Sequence, residues 1–123
     1  MNIMSFLTYN ADVMATNDKP LVWLSDVVKS PPLSKDARLE AGFLLRKLQK
    51  GQMLEMPHSR PMSVIGERCH EPRVVDVDKT WRIIYRVDPD AIVILDVFSK
   101  KTRTTPQSVI DRSRRRLRDY DDA

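Results

Sequence analysis

With 123 residues, 41% of them hydrophobic and 31% charged, the chain can bury a core of ordinary single-domain size as a globular protein. A formal charge of +4 favours an acidic partner, though only mildly. One cysteine, Cys69, excludes an internal disulfide and fits a reducing compartment, so a cytoplasmic location is expected.

Residues 1–18 predict an N-terminal extension with little fixed structure. Ile3, Met4, Phe6 and Leu7 are apolar, but no Lys or Arg precedes Lys19, which argues against a secretory signal. No apolar run is long enough to span a membrane. Residues 19–120 predict one domain, and 121–123 an acidic tail.

The domain opens on PLVWL (Pro20–Leu24), a short β-rich run. Ser25 predicts the cap of a short helix through Val27 and Val28, stopped by Pro31 and Pro32. Ser34 predicts the cap of a longer helix, with Asp36 in its first turn. Ala37, Ala41, Leu44, Leu45 and Leu48 recur at helical spacing, and Gly51 suits the position after the last turn. Gln52 to Gly66, with Pro57 and Pro61, reads as a loop. Glu71–Val77, Thr80–Val87 and Ala91–Phe98 read as strands. Asp78-Lys79 and Asp88-Pro89-Asp90 carry turn chemistry, which predicts two consecutive hairpins. Thr105 and Pro106 predict the cap and first residue of a last helix running to Asp119. The order β-α-α-β-β-β-α predicts an α+β fold: a small, mainly antiparallel sheet of four strands with helices on one face.

Alternation in TWRIIYRV puts Trp81, Ile83, Tyr85 and Val87 on a core face and Arg82, Ile84 and Arg86 on the other. A two-residue turn at Asp78-Lys79 makes Arg73 and Arg82 diagonal neighbours on one face, within reach of one phosphate. A three-residue turn instead sets Asp76 against Arg82 as an ordinary ion pair. Sequence leaves both open. Lys100, Lys101 and Arg103 follow the third strand of this meander and either reach the same cleft or form a charged loop tip. From Lys100 to Arg118 the basic residues Lys100, Lys101, Arg103, Arg112, Arg114, Arg115, Arg116 and Arg118 face a single Asp111. Val109, Ile110, Ser113 and Leu117 make a narrow inward stripe, so the arginines form the wet face of the last helix. Arg86, Arg103, Arg112, Arg115 and Arg116 are therefore candidate RNA-binding residues, contributing affinity rather than chemistry.

Several adjacent fixed cations suit a bound anion, and a phosphodiester of RNA is the expected one. His58 and His70 lack metal-ligand spacing, so no metal or cofactor is expected. Cys69 has no base partner and reads as a small buried hydrophobe. The aspartates Asp76, Asp78, Asp88 and Asp90 are explained by turns.

Five pieces in order resemble one family: PLVWL; ARLEAGFLLRKLQKGQ; GERCHEPRVVDVDKTWRIIYRV; IVILDVFSKKTRTTP; and a basic closing helix ending RRRLRDY. Over residues 19–120 the chain resembles the phage-derived HigB-type branch of the RelE/ParE toxin superfamily. The resemblance implies the toxin of a type II toxin–antitoxin module. Such a toxin cleaves mRNA, commonly on the ribosome, needs no metal, and is neutralised by a small helix-turn-helix antitoxin. It also implies catalytic roles for Arg73, Arg82, Lys100 and Lys101. Two positions depart from the family pattern. Pro72 stands where an apolar residue is usual and implies a sheet edge or bulge. Pro106 and Gln107 stand where some relatives place a tyrosine, so a tyrosine general base is missing. Two other functions share the sequence signals: DNA gyrase inhibition on a ParE-like version of the fold, and non-catalytic RNA binding.

Overall fold

A computed structural model describes residues 18–54, 59–100 and 103–123. Of the predicted N-terminal extension, residues 1–17 lie outside the described residues, as does Lys101, while Asp18 is placed by Arg46 at 2.8 Å. Seven elements follow one another: β1 (Leu21–Trp23), α1 (Lys35–Gln49), β2 (Ser59–Pro61), β3 (Cys69–Val75), β4 (Thr80–Val87), β5 (Ile92–Lys100) and α2 (Gln107–Asp122). The strands form one sheet in the order β1-β5-β4-β3-β2, with β1 parallel to β5 and the other pairs antiparallel. The fold is α+β, with five strands rather than four.

The extra strand is β2, inside the segment expected to be a loop. Pro61 ends it, and its partner is β3, with Ser59 opposite Pro72 and Arg60 opposite Glu71. Pro72 is thus not at a sheet edge. The β3–β4 pairing is interrupted at Glu71 and Pro72 and resumes in the same register, so there is no bulge either. The short helix expected after Ser25 does not form. A bend at 24–25, irregular chain at 26–29 and a turn and bend at 30–33 stand in its place, because so few residues before a proline pair cannot repay helix nucleation. Val28 and Leu33 in this segment are still buried.

α1 forms where expected. The Ser34 hydroxyl accepts the Ala37 N–H at 3.1 Å, Asp36 lies in the first turn, and Gly51 takes the left-handed φ of 87° just past the last turn. Its stripe of Ala37, Ala41, Leu44, Leu45 and Leu48 packs on Val74, Trp81, Ile83, Tyr85, Ile92 and Ile94. Each fully buried Leu or Ile there contributes roughly 2 kcal/mol through surface removed from water. Asp76 ties the β3–β4 hairpin to this layer. Its carboxylate accepts the Ser34 N–H at 3.0 Å, the Trp81 indole N–H at 3.0 Å and the Val77 N–H at 2.8 Å. The Ser34 hydrogen bonds hold its pKa far below the ordinary 3.8. That stabilisation is complete above the ordinary value and is lost as pH falls through the folded one.

The helices do not share a face. α2 covers the opposite side of the sheet, where Val109, Ile110 and Leu117 pack with Cys69, Ile84, Val93 and Leu95, and with Met62 and Ile65. The side carrying Arg82, Ile84 and Arg86 is thus a second core, and Ile84 is fully buried. Cys69 is buried there as expected, and burial pushes its thiol up to about 11.

The predicted RNA-binding arginines divide at this interface. Arg86 is buried, and its guanidinium donates to Asp88 at 2.6 and 2.9 Å and to Asp121 at 2.7 and 2.8 Å. The Asp121 hydrogen bonds, then those to Asp88, raise its pKa well above the usual arginine range. Asp121 belongs to α2, not to a tail, because this fork holds the last turn down. Arg112 Nε donates to Asp96 at 3.0 Å, and Arg116 donates to the Leu95 carbonyl at 2.6 Å. These three arginines hold the fold together, while Arg103 and Arg115 remain exposed. Arg86→Ala removes the two short hydrogen bonds to buried Asp88 and leaves it the longer Arg68 contact at 3.5 Å, so a loss of about 3 kcal/mol in thermal or urea unfolding is expected.

Arg112 and Arg116 converge on an irregularity. Ile84 faces Asp96 while Tyr85 faces Ile94, leaving Leu95 as a bulged residue. Before the bulge, Ile92 and Ile94 point to the α1 core; after it, Val97 does. The extra residue reverses the alternation, so Asp96, Phe98 and Lys100 stand on the α2 side of the sheet.

Candidate functional site

The reversal places β5 side chains beside the strand arginines. Across the sheet, Arg73 is directly opposite Arg82, and Arg82 directly opposite Phe98. In the next row, Val75 faces Thr80, which faces Lys100. The hairpin turn produces this register. Asp76 N–H donates to the Lys79 carbonyl at 2.8 Å, so Val77 and Asp78 form the turn, one position earlier than Asp78-Lys79. Both expected geometries are thereby replaced. The arginines are direct rather than diagonal neighbours, and Asp76 is no ion-pair partner of Arg82.

Two like charges directly opposite on one face cost stability. Arg73 is exposed, and Arg82 is largely buried, with 11% of its side chain accessible. Arg82 Nε is buried without a hydrogen-bond partner and stands 4.0 Å from Glu71 Oε1. Burial lowers the Arg82 pKa; Glu71 opposes this, and Arg60 and Arg73 add to it. A largely buried guanidinium directly across the sheet from a second arginine sets two cations side by side, an arrangement suited to an anion.

Beneath this pair lies a closed polar cluster that sequence reasoning did not assemble. Glu71 is completely buried as a side chain and meets Lys100 at 3.1 Å and Arg60 at 3.2 Å. The Thr105 hydroxyl donates to Glu71 Oε2 at 2.6 Å. It accepts from Lys100 Nζ at 2.9 Å and from Arg60 at 3.0 Å. The Arg103 carbonyl accepts from Lys100 at 2.9 Å and from Arg60 at 2.8 Å. Thr105 was expected to cap α2; this cluster claims its hydroxyl instead, and Pro106 takes the cap position.

Lys100 is therefore present at the site but engaged within it. Its ammonium has three hydrogen-bond partners, filling its three donors, and is buried. Burial lowers its pKa, and the Glu71 hydrogen bond opposes the shift. Arg103 contributes through its carbonyl, with its side chain exposed. Above the cluster, Thr80, Arg82, Lys100 and Arg103 line an open cleft beside the Val75–Lys79 turn. Arg73 flanks it across the strand pair. Glu71, Arg60 and Thr105 were missed as site residues. The signal for Glu71 was its place two residues before Arg73, on the same strand face. Arg60 carried none, because its strand was not foreseen.

Among the described residues, no three His, Cys, Asp or Glu side chains gather as a group able to hold a metal ion. Among the same residues, no helix is long and apolar enough to cross a membrane.

Comparison with known proteins adds one assignment. No curated protein and no solved structure gives a significant match. A family model described as "Phage derived protein Gp49-like (DUF891)" matches residues 32–118. That span runs from just before α1 almost to the end of α2 and contains Arg60, Glu71, Arg73, Arg82, Lys100 and Thr105. The chain belongs to the phage-derived Gp49-like family.

Proposed function

We propose that this protein is the toxin of a type II toxin–antitoxin module, of the HigB-like kind within the RelE/ParE superfamily, and that it cleaves mRNA on the ribosome. The observation that carries the proposal is Arg73 facing Arg82 across two strands, with a buried Arg82 donor unfilled. Membership of a phage-derived family supports it.

The chemistry requires no metal. The ribose 2′-oxygen attacks the adjacent phosphorus, and the bond to the 5′-oxygen breaks. The 2′-hydroxyl loses its proton to solvent, and the departing 5′-oxygen gains one. The products are a 2′,3′-cyclic phosphate and a 5′-hydroxyl. Arg82 and Arg73 stabilise the extra negative charge on the pentavalent phosphorus, acting as preorganised cations where charge develops. Lys100 acts as a positioning residue: with its donors engaged, it shapes the field and fixes the 103–105 segment. The ribosome supplies the substrate alignment that so small a cleft cannot.

Induced expression should arrest bacterial growth, and co-expression of a neighbouring helix-turn-helix antitoxin should restore it. Cleavage should persist in excess chelator when ribosome integrity is maintained with polyamines. Normal growth with abundant soluble protein, or strict dependence of the cut on a divalent ion, would overturn the proposal.

A further inference from the structure

The row that holds the two arginines ends in an aromatic ring. Phe98 is directly opposite Arg82, which is directly opposite Arg73. Neighbouring strands are about 4.8 Å apart, so the three side chains span roughly 10 Å of one sheet face. Phe98 is half-buried, packed at its base against the second core, with Lys100 Nζ 5.9 Å from the ring centroid. The other sheet aromatics are placed differently. Trp81 and Tyr85 are buried in the first core, and Trp23 packs against that core too. Phe43 is exposed, but on α1, which covers the opposite face.

Phe98 reaches this row only because of the Leu95 bulge. In an unbroken strand it would share a face with Ile92 and Ile94, in the first core. The bulge is held by Arg116 on the Leu95 carbonyl and by Arg112 on Asp96. Such bulges re-aim a side chain next to a site.

We propose that Phe98 is the floor of a nucleobase subsite, which takes one unstacked base of single-stranded RNA while Arg82 and Arg73 hold the phosphate beside it. The subsite rests on the nuclease reading above and adds a determinant of where the strand sits. A ring next to fixed cations is the combination that grips single strands, since every base presents a stackable face and every linkage a negative charge. Stacking of this kind tolerates any base, so the subsite positions the strand without specifying its sequence.

The test uses the full chain and a labelled RNA pentanucleotide, 2′-O-methylated so that it is not cut, with an abasic sugar placed at each position in turn. In the wild type, one position should lose about tenfold in affinity when its base is removed. Phe98→Leu should weaken the intact strand by a similar factor and erase that sensitivity, while Phe98→Tyr restores both. Circular dichroism and thermal unfolding check that each variant is folded. A folded Phe98→Leu protein that binds as tightly as wild type, or stays sensitive to the missing base, overturns the subsite. An abasic scan of the wild type with no sensitive position overturns it even if Phe98→Leu fails to fold. If Arg82→Ala abolishes binding while Phe98→Leu does not, the nuclease reading stands and the subsite falls. If the wild type binds no free RNA, the subsite falls, and the nuclease reading stands or falls on cleavage of ribosome-bound message.

Discussion

Glu71→Ala is expected to cost about 3–5 kcal/mol of folding stability, the largest effect of any substitution at the site. The carboxylate is fully buried and shared by Lys100 at 3.1 Å, Arg60 at 3.2 Å and Arg82 at 4.0 Å. Without it, three cations crowd a poorly solvated space with no counter-charge, and the Thr105 hydroxyl loses its acceptor. Glu71→Gln keeps an acceptor for Thr105 but not the charge, so it should fall between wild type and alanine. Urea unfolding reads this as a shift in midpoint with unchanged slope. A loss below about 1 kcal/mol for Glu71→Ala, the range of an exposed ion pair, would show that the cluster is solvated and not a buried scaffold.

Arg82→Ala should behave in the opposite way. Arg82 Nε makes no hydrogen bond, and the side chain stands cross-strand from Arg73, with the charges of Arg60 and Arg73 both opposing its own. Its removal should leave stability within about 0.5 kcal/mol of wild type, since relief of like-charge repulsion offsets lost packing. Cleavage should fall about a hundredfold, near 3 kcal/mol, if the guanidinium meets charge that develops in the transition state. Arg73→Ala should gain a few tenths of a kcal/mol in stability while also slowing cleavage. The pairing of intact or improved stability with lost activity separates a functional arginine from a structural one. Arg86→Ala is the control, with stability lost through Asp88 and Asp121.

Much of the frame was legible in the sequence. The Ser34 cap, the apolar stripe of α1, Gly51, the two hairpins and the inward stripe of α2 all rest on local rules, and all appear. The core face of Trp81, Ile83 and Tyr85 followed from alternation alone. Non-local contacts account for what was missed. β2 is three residues long and exists because β3 offers it an edge. One extra residue at Leu95 reverses the faces of Asp96, Phe98 and Lys100, and nothing in IVILDVFSK marks it. The turn at Val77 and Asp78 was read one position late, since Asp76 is held by Ser34 from a distant element. Counting basic residues on the last helix could not reveal that Arg112 and Arg116 turn inward to Asp96 and Leu95.

The central claim is that the facing arginines are built for a phosphodiester undergoing attack by its own ribose. It is tested most directly by the chemical ends of RNA released in a single turnover from ribosome-bound message, with saturating wild-type or Arg82→Ala protein. The account expects fragments ending in a 2′,3′-cyclic phosphate from the wild type, formed about a hundredfold more slowly by the folded variant. Intact message with soluble wild-type protein, or fragments with 5′-phosphate ends made equally fast by both proteins, would contradict it.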